Sequence, residues 1–201
     1  MSILGLGLTE TKPVVVGAGF WIRSLARALD LLYGYVVGSL AGICGAFVLA
    51  ILQVLSLADP GWAARFSQAR ATLMLTSLVG SVFYQTFCEG LFGASVGKLI
   101  CGLRVLSEDL SPCRLKPALV RSLGYFVDGL VFGVVGYLEM NKTQMEQRHG
   151  DHWAKTVVVR NAQVPEGSKR SGGRFVLAFA LGTAAWGFPL VVVLVLSALR
   201  E

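Results

Sequence analysis

The sequence predicts an all-α integral membrane protein: a small helical bundle with three transmembrane helices, one re-entrant or interfacial helical segment and a short cytoplasmic β pairing. Three observations carry this. The 201 residues are 54% hydrophobic and 15% charged, whereas an ordinary soluble domain is about a quarter charged. Apolar stretches long enough to cross a hydrocarbon core about 30 Å thick recur along the chain. Glycine, at 24 positions, is patterned inside one of them in the way that closely packed membrane helices require. A soluble enzyme is excluded, because the spans leave little chain for a catalytic domain.

Taken in order, residues 1–20 form an irregular leader with Gly5, Gly7, Gly17 and Gly19. It lacks the basic region and cleavage site of a signal peptide, so it is expected to be retained. Residues 21–160 form the membrane domain. Trp21 to Asp30 is an amphipathic lead-in, with Phe20 and Trp21 suited to the headgroup zone. The first span covers about 31–55 and holds no charge. Asp59-Pro60-Gly61 ends it, and Trp62 to Arg70 makes a short connection. The second span covers about 71–92, interrupted only by Glu89. Leu103-Arg104-Val105-Leu106 and Thr156-Val157-Val158-Val159 are β-branched or apolar runs beside turn residues, which predicts two pairing strands. Between them, about 118–139 is apolar except near its charged ends and Asp128, and is short for a span. Residues 161–174 are a basic linker, and 175–199 form an additional C-terminal transmembrane helix.

Orientation follows from the 18 Lys and Arg residues. If 122–138 crossed, they would divide evenly. If it re-enters or lies on the surface, fifteen fall on the N-terminal side and only Arg65, Arg70 and Arg200 on the other. The positive-inside rule selects the second topology, with a cytoplasmic N-terminus. The same rule accounts for the net charge of +6 without nucleic acid as a partner.

Gly34, Gly38 and Gly42 repeat every fourth position, a double G-x-x-x-G. Residues four apart share one helix face, and without side chains that face admits a neighbouring backbone. The neighbour is expected to be the second span or another subunit, the latter giving a homo-oligomer or a complex with other membrane subunits.

Charges near a bilayer are costly and tend to be paired or functional. Arg23, Arg27 and Asp30 share one face. Arg23-Ser-Leu followed by Asp30 recurs as Arg121-Ser-Leu followed by Asp128, each arginine seven residues before its aspartate. That spacing is too long for easy contact within a unit. Crossed pairing is therefore expected, Asp128 with Arg23 or Arg27 and Asp30 with Arg121, with Glu89 nearby. Snorkelling to the headgroups would account for Arg23 and Arg27 but not for Asp128.

Gly19 to Asp30, then Gly93-Ala94-Ser95-Val96-Gly97-Lys98, Gly102-Leu103-Arg104-Val105, Asp128, and Asp151 with Thr156-Val157-Val158 resemble, in order, the RDD family of bacterial membrane proteins. Arg23, Asp30 and Asp128 fall on the three positions that name it. Lys155 stands where the family usually has glycine before the threonine. The helix at 175–199 lies beyond the common core that this resemblance covers. The resemblance implies a bacterial cytoplasmic membrane protein, multi-pass, with cation/proton antiport proposed for some members.

Two functions are then open. One is exchange of protons for monovalent cations through the carboxylates of the charge cluster. The other is a non-transporting accessory or assembly subunit. No nucleophile and base are paired as an enzyme needs. Gly93 to Lys98 lacks the P-loop pattern and reads as a close turn. His149 and His152 have no further ligands converging on them, and Cys44, Cys88, Cys101 and Cys113 read as small buried hydrophobes, so neither metal nor cofactor is expected.

Overall fold

The computed structural model describes residues 16–59 and 61–199. Residues 1–15 of the expected leader, Pro60 of the expected helix stop and Arg200 lie outside them. The described chain is helical around one two-stranded sheet.

Helix α1 (Phe20–Val54) runs unbroken for 35 residues, about 50 Å at 1.5 Å per residue. The lead-in and the first span are thus one rod, longer than a hydrocarbon core. After the short α2 (Trp62–Gln68), α3 (Arg70–Phe87) returns and loosens into one π-helical turn, Cys88–Phe92. The five-residue α4 (Val96–Ile100) leads to strand β1 (Leu103–Ser107). Helix α5 (Leu115–Asp128), a 3-10 turn and α6 (Val134–Met140) follow, then α7 (His149–Ala154), strand β2 (Thr156–Arg160) and α8 (Gly172–Leu199). Phe20–Val54, Ala71–Phe92 and Gly172–Leu196 are long and apolar enough to cross a membrane.

The expected strand pairing is present. β1 and β2 are antiparallel with Val105 opposite Val158, and the run before α1 joins them through Ala18 N–H to Val158 C=O at 2.8 Å. Val105 and Val158 pack with Ala18, Ala26, Cys113 and Ala118, each at most 2% exposed. This small apolar core anchors the first turns of α1 and α5 to the sheet end of the bundle.

The segment expected to re-enter or lie on the surface does not continue straight. α5 is 14 residues long, about 21 Å, and α6 folds back on it: a Cβ at Gly136 would lie 3.2 Å from the Asp128 carbonyl oxygen. Leu123, Phe126, Leu130 and Leu138 stay exposed, an apolar face of the kind that rests at a membrane boundary.

The glycine face meets a different neighbour from either one expected. It packs on α8, so the choice between the second span and another subunit is replaced by the last span of the same chain. A Cβ on Gly34 would lie 2.0 Å from the Trp186 ring, one on Gly42 3.7 Å from Leu190 and one on Gly45 2.3 Å from Leu194. Gly38 has nothing within 4 Å. Trp186, Leu190 and Leu194 form one stripe on α8, and the crossing of the two helices carries that stripe from Gly34 toward Gly45 and past Gly38. On its other side α8 meets α3, where a Cβ on Gly80 would lie 3.0 Å from the Ala185 carbonyl oxygen. Of the cysteines, Cys88 and Cys113 are buried, Cys101 is partly so, and Cys44 is exposed, so the expected burial holds for two of four.

A candidate site of buried charges at the sheet end

The site is built where α1 crosses α4. Ser95 caps α4, its hydroxyl accepting from Lys98 N–H at 3.4 Å. Gly97 permits the crossing, since a Cβ there would lie 2.0 Å from the Ala26 carbonyl oxygen. With the backbones this close, Gly97 N–H donates to Asp30 Oδ1 at 2.8 Å. The Tyr84 hydroxyl donates to the same oxygen at 3.1 Å, while Gln85 Nε2 and the Ser95 hydroxyl donate to Oδ2 at 3.0 and 2.6 Å. Asp30 is fully buried. Its four donors are all neutral, and each oxygen accepts two of them.

Beside this cage lies a file of ion pairs. The π turn of α3 places Glu89 against Lys98 on one side and Arg121 Nη1, at 3.2 Å, on the other. Insertions of this kind are frequent at functional sites. Arg121 Nη2 reaches Asp151 Oδ1 at 3.0 Å. Asp151 also pairs with Arg23, and Arg148 Nε stands 3.5 Å away. Burial by itself would raise the Asp151 carboxyl, but Arg23, Arg121 and Arg148 outweigh it and hold it well below the usual carboxylate range. Asp128 follows, with Arg148 Nε at 3.8 Å, His149 Nδ1 at 3.2 Å and the N–H groups of His149 and Gly150 at 3.2 and 3.4 Å. The file surfaces at Glu139, 3.5 Å from His149 Nε2.

Among the described residues the buried charges balance. Asp30, Glu89, Asp128 and Asp151 are matched by Arg23, Lys98, Arg121 and Arg148, all under 9% exposed. Tyr125 lies among the cations, with the Arg148 and Arg27 guanidinium groups 4.1 and 4.5 Å from its ring centre. Its hydroxyl is 3.4 Å from Lys98 Nζ. Burial raises the Tyr125 phenol, but Arg148, Lys98 and Arg27 together bring it down to about 8.

The expected site residues therefore converge, but not in the expected pairs. Asp128 takes Arg148 and His149 rather than Arg23 or Arg27, and Asp30 takes neutral donors rather than Arg121. The reason is Asp151. Both motif arginines, Arg23 and Arg121, turn to this one carboxylate, which α7 carries between α1 and α5. The sequence marks Asp151 only as a motif residue and does not mark Arg148, Tyr84, Gln85, Ser95 or Tyr125 as charge or site partners. Arg148 lies three residues before Asp151, an available signal, whereas the polar residues of α3 sit in an apolar span whose register no local pattern reveals.

The remaining motif residues hold this frame. Gly93 adopts φ +90°, and its carbonyl accepts from Val105 N–H at 2.7 Å. Gly102, at φ +65°, does the same for Asn161. Arg104 donates to the Phe92 carbonyl at 3.0 Å and stacks on that ring. Thr156 is fully buried, its hydroxyl 3.5 Å from the Asp151 carbonyl. Lys155 ends α7 at φ +51°, so the turn usually made by glycine is kept by a residue that bears the left-handed strain. Among the described residues, no three His, Cys, Asp or Glu side chains are grouped to hold a metal ion.

Three apolar helices over a small sheet, with balanced charges buried at their junction, define a multi-pass integral membrane protein in contact with a lipid bilayer. The RDD family model matches residues 17–199, so the chain belongs to the RDD family. The match includes α8, which corrects the expectation that the last helix lies beyond the family's core. No curated protein and no solved structure matches the chain.

Proposed function

We propose that this protein takes part in exchange of protons for monovalent cations across the cytoplasmic membrane of a bacterium, its N-terminus and sheet on the cytoplasmic face. The observation that carries the reading is Asp30: a buried carboxylate caged by neutral donors, beside a file of ion pairs that reaches the surface at His149 and Glu139. Three of its four ligands can change role. The hydroxyls of Tyr84 and Ser95 and the amide of Gln85 carry oxygen lone pairs as well as protons. In one state they donate to the carboxylate. In another they turn oxygens toward a cation that the carboxylate binds, or the carboxylate takes a proton and needs neither. Occupancy by proton and cation is then mutually exclusive, which is the requirement for exchange.

Access to the other side is closed by aromatic rings. Tyr33 stacks on Tyr84 at 5.6 Å and Tyr84 meets Trp186 at 5.0 Å, while the Trp186 ring fills the notch at Gly34 and the backbone of Ala185 and Trp186 lies against Gly80. Alternating access would part this layer, and with three spans a second copy would complete the walls. The tightness of the layer favours a second reading, a non-transporting subunit of a membrane complex. In neither reading is the chain an enzyme.

Flux of Na+ or Li+ into proteoliposomes at two proton gradients separates the two. Under the exchange reading, flux follows the gradient and is lost in Asp30→Asn and Asp128→Asn. Folded wild-type protein without flux under either gradient would leave only the accessory reading.

A further inference from the structure

A cleft of about 310 Å3 lies between α1 and the α5–α6 turn. Arg27 and Arg148 line it, and Phe20, Ala28, Leu31 and Met140 supply its apolar wall. Ala28 and Leu31 are exposed on α1, so the wall continues onto the apolar surface of the span.

Charge counting singles out Arg27. The eight buried charges cancel when Asp30 of the cage is counted with the file, and Arg27 stands outside that balance on the cleft, a half-buried extra cation. Its Nη2 donates to the Ser81 hydroxyl at 3.1 Å, its plane covers the Tyr125 ring, and its Nη1 is buried with no hydrogen-bond partner. Arg148, 8% exposed, likewise has a buried Nη2 without a partner. Asp128, the one carboxylate on the cleft, is already engaged by Arg148, His149 and the Gly150 N–H. The lowered Tyr125 phenol reports the same surplus of positive potential. Unfilled guanidinium donors beside an apolar wall call for a ligand with an anionic end and a hydrocarbon end.

We propose that the cleft binds an anionic lipid, its phosphate on Arg27 Nη1 and Arg148 Nη2 and its acyl chain along Leu31 and the apolar surface of α1. The site is separate from the Asp30 cage and does not depend on the exchange reading. Basic pockets between membrane helices hold anionic headgroups by this combination of charge and burial.

The test is a titration of the full-length protein in neutral detergent, read by native mass spectrometry and by thermal shift, with phosphatidylglycerol, phosphatidylcholine or inorganic phosphate. Phosphatidylglycerol is expected to bind and stabilise, phosphatidylcholine and inorganic phosphate much less. Arg27→Gln should weaken the phosphatidylglycerol effect roughly tenfold, the loss of a charge-assisted contact, and Arg27→Lys should restore part of it. Ala28→Trp, which fills the cleft without touching the ion pairs, should remove the effect in protein whose fold is unchanged, so the test stands even if Arg27→Gln does not fold. Equal binding of phosphatidylcholine, an equal effect of inorganic phosphate alone, or full phosphatidylglycerol binding by Ala28→Trp would overturn the proposal.

Discussion

At the scale of single residues, Asp151 holds the cluster together, because three arginines converge on one buried carboxylate. Asp151→Asn leaves them with Glu89 and Asp128 alone and is expected to cost about 3–5 kcal/mol, the range for breaking a buried ion pair. Arg23→Gln should cost less, and the double variant should recover part of the loss, since each single change strands a charge. Arg23→Gln with Asp128→Asn should couple less strongly than Arg23→Gln with Asp151→Asn, because Arg23 reaches Asp128 only through Asp151 and Arg148. Thermal unfolding of the purified variants measures both cycles, and coupling of Arg23 to Asp128 but not to Asp151 would refute the assignment. The seven-residue spacing from arginine to aspartate made the need for outside partners legible in the sequence. It could not show which carboxylate would be shared, because Asp151 enters through α7, far along the chain.

Tyr125 offers a spectroscopic handle at the same scale. Its phenol is held at about 8, below its unfolded value of 10.0. The sign follows: ionisation favours the folded state, so this contribution is complete above the unfolded value and is lost as pH falls through about 8. Absorbance of tyrosinate should therefore show one group titrating near pH 8 in the folded protein, absent in Tyr125→Phe. A wild-type curve with no tyrosine titrating below pH 9 would contradict the placement of Arg148, Lys98 and Arg27 around the ring.

At the scale of elements, the glycines of α1 differ sharply although the sequence repeats them evenly. Gly34→Ala puts a methyl group into the Trp186 ring and is expected to destabilise by about 1–3 kcal/mol, the usual cost of overpacking. Gly38→Ala, with open space around it, should change stability by less than about 0.5 kcal/mol. Equal effects in thermal unfolding would mean that α1 and α8 do not pack in this register. The G-x-x-x-G pattern identifies a face without saying where along it the partner crosses, because that depends on the angle between two helices distant in sequence. The strand pairing was legible for the opposite reason. An apolar run and a β-branched run at one end of the spans, each beside turn residues, satisfy part of their backbone groups by pairing with each other.

For the whole molecule, α5 and α6 decide how the chain threads the bilayer. If they fold back rather than cross, the loop before α7 and the connection at α2 lie on opposite faces, since α3 stands between them. With Cys introduced at Ala63 or Thr143, a membrane-impermeant thiol reagent added outside intact cells should label Ala63→Cys above the wild-type background and leave Thr143→Cys unlabelled until the cells are opened. Labelling of Thr143→Cys from outside with Ala63→Cys protected would reverse the side assigned to the cluster, and labelling of both would show that 122–138 crosses.

The sequence by itself determined that the chain lives in a membrane, where its three spans lie, that two strands pair beside them, and which family it belongs to. The first three depend on composition or local period, since hydrocarbon must be matched by a run of apolar residues and a strand by apolar or β-branched ones, while the family rests on the resemblance of motifs in order along the chain. Only the tertiary structure decided who pairs with whom. Asp30 sits in a neutral cage, Arg23 and Arg121 share Asp151, and Trp186 chooses Gly34 over Gly38. A buried charge requires a partner but does not name one. The choice is made by the crossing of α1, α4 and α7, where glycines let backbones approach and fix which donor reaches which carboxylate first.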